Sequence, residues 1–402
     1  MVEFRKALGD IMPMTPKIKV CMIAYAEYGP DARINAYVRS IEQMGGSVDV
    51  FVLREGGKRG YEEKGRSRIF YLANKYQGTN TALYISSYLI FFIKAFLKVS
   101  YMTIKERYEA AHIHNMPNFI IYAAIIAKVL GVRLLLDVHD LMPVNYMVKF
   151  NVSEEHILIK LLIMEQRISA WLASHVLCAD HMQKSYLERV CKIPAGKITV
   201  IMNLPHEETF RSIIKPRSDT KFRLIYHGTI AKRLGIDIIL EAIHLVGDEV
   251  PVHLSIYGSG DFLPEVLSLA DTLGLDGKVY FSRAFFPAEK IAEMVGGMDL
   301  GVIGNRRSLA TEKFMMPVKL LEYVYLRIPV VAPRLEIIQS YFDERMLKYY
   351  EPENAADLAK SIVELYKCPK ERDSFVKNAS SFYERRSWKT QAAEYVKLLS
   401  GL

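Results

Sequence analysis

Several short stretches carry residues able to hold a phosphorylated ligand. HGTIAKRLGID (His227–Asp237) follows a β-branched run. Gly228 permits a tight turn there, and Lys232 and Arg233 stand just before the next helical stretch. A helix start presents free N–H groups, and neighbouring cations add to their pull on phosphate. In MMPVKLLEYVYLRIPVV (Met315–Val331), Pro317 suits the first turn of a helix. Lys319 and Glu322 then share one helix face. The Lys319 end would attract an anion, and the Glu322 carboxylate can accept hydrogen bonds from two vicinal hydroxyls, as on a ribose. Each motif has a plainer reading as well: an exposed Lys–Arg pair, and an intrahelical Lys–Glu pair worth a few tenths of a kcal/mol. YGSGDFLPEV (Tyr257–Val266) holds Gly258 and Gly260 but Leu263 in place of a third glycine, so it reads as a strand-to-helix turn.

The N-terminal half offers a second set. YAEYGPDARIN (Tyr25–Asn35) puts Gly29 and Pro30 in a loop, with Asp31 before a helix that begins near Arg33. That is either a substrate loop or simple helix capping. HIHN (His112–Asn115) and DVHD (Asp137–Asp140) each end a β-branched run. Period two sets His112 and His114 on one face. His139 is the strongest ligand-facing candidate, as a hydroxyl partner. The chain shows no H-E-x-x-H and no compact His/Asp triplet, so no metal is expected. It also has no G-x-S-x-G elbow, Walker loop or kinase set.

Alternating strands and helices must position these groups. β-branched runs begin near residues 19, 48, 68, 111, 133, 175 and 198, and again near 223, 252, 279, 300, 329 and 348. Several, such as VCMIAYA and LGVIGN, are apolar on both faces, which means parallel strands covered by helices. The alternation pauses between Leu204 and Asp219, a polar stretch with Pro205 and Pro216. Two doubly wound α/β domains joined by that segment are expected, with ligands in a cleft at their strand C-termini. Residues 55–66, EGGKRGYEEKGR, read as an exposed flexible loop.

Composition narrows the class. At 402 residues the chain is long enough for two or three domains. Four scattered cysteines exclude a disulfide scaffold and fit a reducing compartment. Residues 1–202 hold 26 Lys+Arg against 18 Asp+Glu, so the whole net charge of +8 lies there. Such a surface attracts polyanions or anionic lipid. The basic residues form no nucleic-acid-binding pattern. Met1–Lys17 lacks the apolar core of a secretory leader. Ala82–Ile104 is strongly apolar, but Lys94 and Lys98 interrupt it. It fits either a helix packed on its own domain or one lying in a membrane interface.

Taken in order, these stretches resemble glycosyltransferase family 4, the GT-B-fold nucleotide-sugar transferases, across nearly the whole chain. GPDAR resembles the family's first-domain loop. HIHNMPNF and LLLDVHDLMP resemble the acceptor-side segments of a bacterial polysaccharide-building subgroup. ITVIMNLP, HGTIAKRLGID, YGSGDFLPEV and PVKLLEYVYLRIPVV resemble the linker approach and the donor domain. SWKTQAAEYVKLL is similar to the closing helix that crosses back.

The resemblance implies two Rossmann-like domains: an acceptor domain over 1–203, a linker over 204–220, a donor domain over 221–384, and a crossing helix over 385–402. It implies retaining hexosyl transfer from a UDP- or GDP-sugar, with no obligatory metal. The acceptor would be a saccharide or lipid-diphosphate-linked saccharide, in the cytoplasm or peripherally on the inner membrane face. His139, Arg233 and Lys319 would be catalytic. Gly228, Lys232, Met316, Val318 and Glu322 would complete the nucleotide site. Gly29, Asp31, His114, Asn115, Asp140 and Glu312 would lie on the sugar or acceptor side. One departure stands out. The family's first glutamate, eight positions before Glu322, is Phe314 here, and Glu312 is out of register by two. A nucleotide-sugar epimerase on the same fold, or a binding subunit weakened in catalysis, remain the alternatives.

Overall fold

The computed structural model describes residues 18–76, 78, 80–210 and 220–401. Met1–Lys17 and most of the connecting segment, 211–219, lie outside the described residues. The chain divides into two compact units, Met1–Met202 with Thr390–Leu402, and Asn203–Lys389.

The first unit is built on an eight-stranded sheet. Its strands are β1 (Lys19–Glu27), β2 (Ser47–Leu53), β3 (Gly60–Lys64), β4 (Ser67–Ala73), β5 (Ala110–His114), β6 (Arg133–Val138), β7 (His175–Cys178) and β8 (Ile198–Val200). Their order is β3-β4-β2-β1-β5-β6-β7-β8. Val20–Ile23 and Val50–Leu53 are wholly buried, as expected of parallel strands covered on both faces.

The expected loop at 55–66 is in part a strand. β3 pairs antiparallel with β4 at the sheet edge. Its charged residues face solvent, so it carries no apolar run to betray it. Tyr61 stacks on Phe70 at 5.2 Å, and Tyr71 donates to Glu62 at 2.7 Å.

Between β4 and β5 runs the long helix Thr81–Glu106, capped by Asn80, whose side chain accepts from the Ala82 and Leu83 N–H groups. Phe91, Ala95, Val99 and Met102 enter the core. The helix therefore lies along its own domain.

The second unit carries a six-stranded parallel sheet of β9 (Phe222–His227), β10 (Val252–Tyr257), β11 (Val279–Phe281), β12 (Leu300–Val302), β13 (Val330–Pro333) and β14 (Lys348–Tyr350). Their order is β11-β10-β9-β12-β13-β14. The order reverses beside β9, where open α/β sheets bind ligands.

The last helix, Trp388–Ser400, contributes most of its length to the first unit. Tyr395 is fully buried there. Its ring meets Tyr37 at 4.3 Å, and its hydroxyl pairs with His112 Nδ1 at 2.8 Å. Gln391 donates to the Met202 carbonyl at 3.2 Å and accepts from the Met202 N–H at 2.7 Å. Arg133 Nε donates to the Leu399 carbonyl at 3.0 Å.

Candidate functional site

In the second unit the strand ends converge through backbone, which is why glycine recurs there. A Cβ on Gly258 would sit 1.8 Å from the Gly228 carbonyl oxygen, and one on Gly235 2.0 Å from that of Gly304. Gly228 and Gly235 also adopt positive φ, at 103° and 62°, which side chains resist. Gly258 and Gly260 thus serve close packing, as the incomplete fingerprint indicated.

This packing presents the turn Lys232–Leu234, a single 3₁₀ turn just before the helix Ile236–Val246. The Arg306 N–H donates to the Arg233 carbonyl at 3.0 Å, and Arg306 Nε donates to that of Lys232 at 3.2 Å. Both side chains of the Lys232–Arg233 pair are exposed.

Helix Val318–Tyr325 starts one residue later than its sequence implied. Pro317 is the cap residue, and no side chain satisfies the first-turn N–H groups. Val318 is exposed and Met316 half-buried. Lys319 Nζ lies 4.4 Å from the centre of the Tyr226 ring and donates to its hydroxyl at 3.3 Å. Burial pushes the Lys319 ammonium down to about 8, with Glu322 opposing and Arg233 adding to the shift. Glu322 Oε2 stands 3.0 Å from His227 Nε2, though not aligned as a hydrogen bond. The Tyr323 ring meets His227 edge-on at 5.2 Å.

The cations around this sheet end fall into two groups. Arg306 pairs with Asp237 and Glu353, Arg307 with Glu312, and Arg334 with Glu344 and Glu351. Among the described residues, Lys232, Arg233 and Lys319 have no carboxylate within 4 Å. Cations without a carboxylate partner and a helix start without a side-chain cap both attract anions.

Glu312 is not part of it. Its carboxylate accepts from Arg307 Nε at 2.9 Å and from the Glu336 N–H at 3.2 Å, so it pins the start of helix Glu336–Gln339. Phe314 is the C-cap of helix Leu309–Lys313.

In the first unit, several expected site residues hold the scaffold instead. Asp31 Oδ1 accepts from the Ile34 N–H at 2.9 Å, the capping role. Gly29 meets Glu55: its N–H donates to Oε2 at 3.2 Å, and a Cβ there would lie 2.3 Å from Oε1. Asn115 is buried and clamps the end of β6, its Oδ1 accepting from the His139 N–H at 3.1 Å and its Nδ2 donating to the Asp140 carbonyl. Gln183 Nε2 donates to the His139 carbonyl at 3.1 Å. These bonds fix the backbone and leave the half-buried His139 and Asp140 side chains at the strand end.

His114 is buried in a charged cluster. Arg33 grips Asp137 with two bonds of 2.7 Å, Nε to Oδ2 and Nη2 to Oδ1. His112 Nε2 and His114 Nδ1 lie 3.5 and 3.4 Å from Asp137 Oδ2. The fold thus assembles the compact His/Asp triplet that the sequence did not display, with donor atoms within 4.8 Å of one another. Its cation is the Arg33 guanidinium, which takes both carboxylate oxygens. Burial would raise the Asp137 carboxyl, but Arg33 and His112 hold it well below the usual range. Burial lowers both histidines, His114 further because His112 adjoins it. Burial thus favours the neutral form of each.

Residues 32–204 match the family described as Glycosyltransferase Family 4, and residues 221–368 match Glycosyl transferases group 1. The chain is a family 4-like glycosyltransferase. No curated protein matches this transferase. Among solved structures, the sucrose-phosphate synthase of Thermosynechococcus elongatus is similar at TM-score 0.73 and 16% identity, over 95% of this chain and 98% of that one. A glycosyltransferase of Rickettsia africae reaches 0.68 at 13% identity, over 96% and 99%. Anabaena HepE, solved with UDP and glucose, reaches 0.69 at 14% identity, over 96% and 100%. At these identities the likeness shows the GT-B fold that the transferase shares with them.

Sequence reasoning assigned no part to Tyr226 and His227, which contact Lys319 and Glu322. The signal was present in their position at the end of β9, directly before Gly228. Arg306 carried none, because its partners lie 47 and 69 residues away.

Proposed function

We propose that this transferase moves a hexose, with retention, from a nucleotide-diphosphate sugar to a saccharide or lipid-linked saccharide during polysaccharide or glycoconjugate assembly. The observation that carries the reading is the set of three unpaired cations, Lys232, Arg233 and Lys319, at an uncapped helix start. As the anomeric C–O bond breaks, its electron pair stays on the diphosphate. Pre-placed cations and amides stabilise that growing charge more in the transition state than in the ground state. Lys319, Arg233 and the Met316–Val318 backbone receive the diphosphate. Glu322 receives the ribose hydroxyls. His139 and the adjoining Asp140 are assigned to the sugar and acceptor side. UDP is the first nucleotide to test, because HepE was solved with UDP-glucose. The four cysteines are all free, which fits a reducing compartment, so the reading sets the enzyme in the cytoplasm. Retention is checked by the anomeric configuration of the first-formed product.

Glu322→Ala removes hydrogen bonds to a charged acceptor, worth about 1.5–3 kcal/mol in all. Calorimetric titration with UDP, GDP and ADP is expected to find one tight ligand for the native protein and a loss of roughly 10- to 100-fold in the variant. A 2′,3′-dideoxy analogue, which lacks both hydroxyls, should bind the two proteins alike. Equal affinity of native and variant protein for the preferred nucleotide would end the ribose assignment.

The Lys319 ammonium, at about 8, gives a pH signature. Its charged form binds diphosphate, so affinity should hold up to pH 8 and then fall by about tenfold per unit. Lys319→Arg should bind evenly through this range. A native profile flat to pH 10 would remove Lys319 from the site.

One observation favours a second reading. With Phe314 at the first glutamate position and Glu312 bound to Arg307, no carboxylate stands where the family pattern has one. A binding subunit without turnover would show tight nucleotide binding and no transfer to any acceptor.

A further inference from the structure

The outer surface of the first unit has a composition that the transfer reaction does not use. The long helix Thr81–Glu106 and the helix Ile157–Leu172 both pack against the segment Asn118–Val129. Their inner faces are buried, yet their outer faces remain strongly apolar. On the long helix Ile90, Leu97 and Ile104 recur every seven residues, at 48%, 62% and 68% exposure. On the second helix Ile157, Leu161, Met164, Ile168 and Trp171 recur at alternating spacings of four and three, and Trp171 is 80% exposed. Val129, 77% exposed, extends the surface on the intervening segment.

Cations outnumber acids on these elements. Lys94, Lys98, Lys105, Lys128 and Lys160 have no carboxylate within 4 Å among the described residues. The two acids on the same helices are engaged: Glu106 with Lys19 and Arg68, and Glu165 with Ser169 at 2.6 Å. Ala82–Glu106 is long and apolar enough to cross a membrane. It does not leave the domain to do so, because Phe91, Ala95, Val99 and Met102 are built into the sheet core. A second copy of the chain would set lysine against lysine. An apolar face with uncompensated cations is complementary to an anionic bilayer, where apolar side chains enter the acyl boundary and lysines reach phosphate.

We propose that the outer faces of helices Thr81–Glu106 and Ile157–Leu172 form a docking surface for anionic membrane, with Trp171 inserted at the interface. The proposal stands apart from the donor reading, and its test needs no sugar.

The chain has two tryptophans, and Trp388 is buried, so Trp171 reports the surface directly. Vesicles of phosphatidylcholine with 30% phosphatidylglycerol are titrated into the full-length protein at low salt. Trp emission should shift to the blue and the protein should float with the vesicles; Trp171→Phe should float without the shift. Lys94→Glu/Lys98→Glu/Lys160→Glu should lower partitioning on the order of 100-fold, with unchanged circular dichroism and UDP binding. Equal binding of that variant and the native protein, or of neutral and anionic vesicles, would overturn the electrostatic basis. A blue-shifted Trp171 in vesicle-free protein that sediments as a dimer would overturn the proposal in favour of a second copy.

Discussion

Arg233→Ala is expected to slow transfer by two to three orders of magnitude while leaving the fold intact. The loss corresponds to about 2.7–4 kcal/mol, the usual effect of removing one pre-placed donor from a developing oxyanion. The turn should survive because Arg306 holds it through the Lys232 and Arg233 carbonyls and Gly235 closes it on the Gly304 carbonyl. The Arg233 side chain itself is exposed and bound to no carboxylate. Arg233 also depresses Lys319, so its removal should move the alkaline fall in diphosphate affinity to higher pH. Steady-state rates, a thermal melt and a pH series of UDP titrations check these outcomes together. Near-native turnover would refute the assignment, and an unmoved alkaline limb would separate Arg233 from Lys319.

The largest effect on stability is expected from Arg33→Met. Its guanidinium is nearly buried and Asp137 wholly so, and Nη1 also donates to the Ile201 carbonyl at 3.0 Å. Removing one partner of a buried ion pair strands the other, at a cost of about 3–5 kcal/mol. For a unit of this size the melting temperature should drop on the order of 10 °C. Arg33→Met with Asp137→Leu should recover much of the loss, because the pair's net contribution is smaller than the penalty for breaking it. Arg33→Lys should fall between, having no planar fork to match the carboxylate. A single variant that melts with the native protein would show that Asp137 is not held as a buried carboxylate.

The parallel strands were legible because each is a β-branched run apolar on both faces, as in Val20–Ala24. β3 was not, since a solvent-facing edge strand such as GYEEK needs only its neighbour's backbone. In the second unit, the strand-end turn that carries Lys232 and Arg233 and the helix start that carries Lys319 could be read from position, because open sheets bring successive strand ends to one edge. In the first unit, position did not show which residues the scaffold takes up. Asp31 stands at a helix start and His114 and Asn115 at a strand end, where a cap, a buried ion-pair cluster and a backbone clamp hold them. Burial decides between these fates, and for His114 the neighbours include Arg33 and Tyr37, from a remote part of the sequence.

The Gln391 bonds to Met202 carry a topological consequence. The first unit is interrupted in sequence by the second, and the two points of interruption are hydrogen-bond neighbours. Deleting 203–389 and bridging Met202 to Thr390 with a few glycines should therefore yield a self-contained module. Ending the chain at 389 should not, because Tyr37 and His112 would lose Tyr395. The second unit is in this sense an insertion within the first.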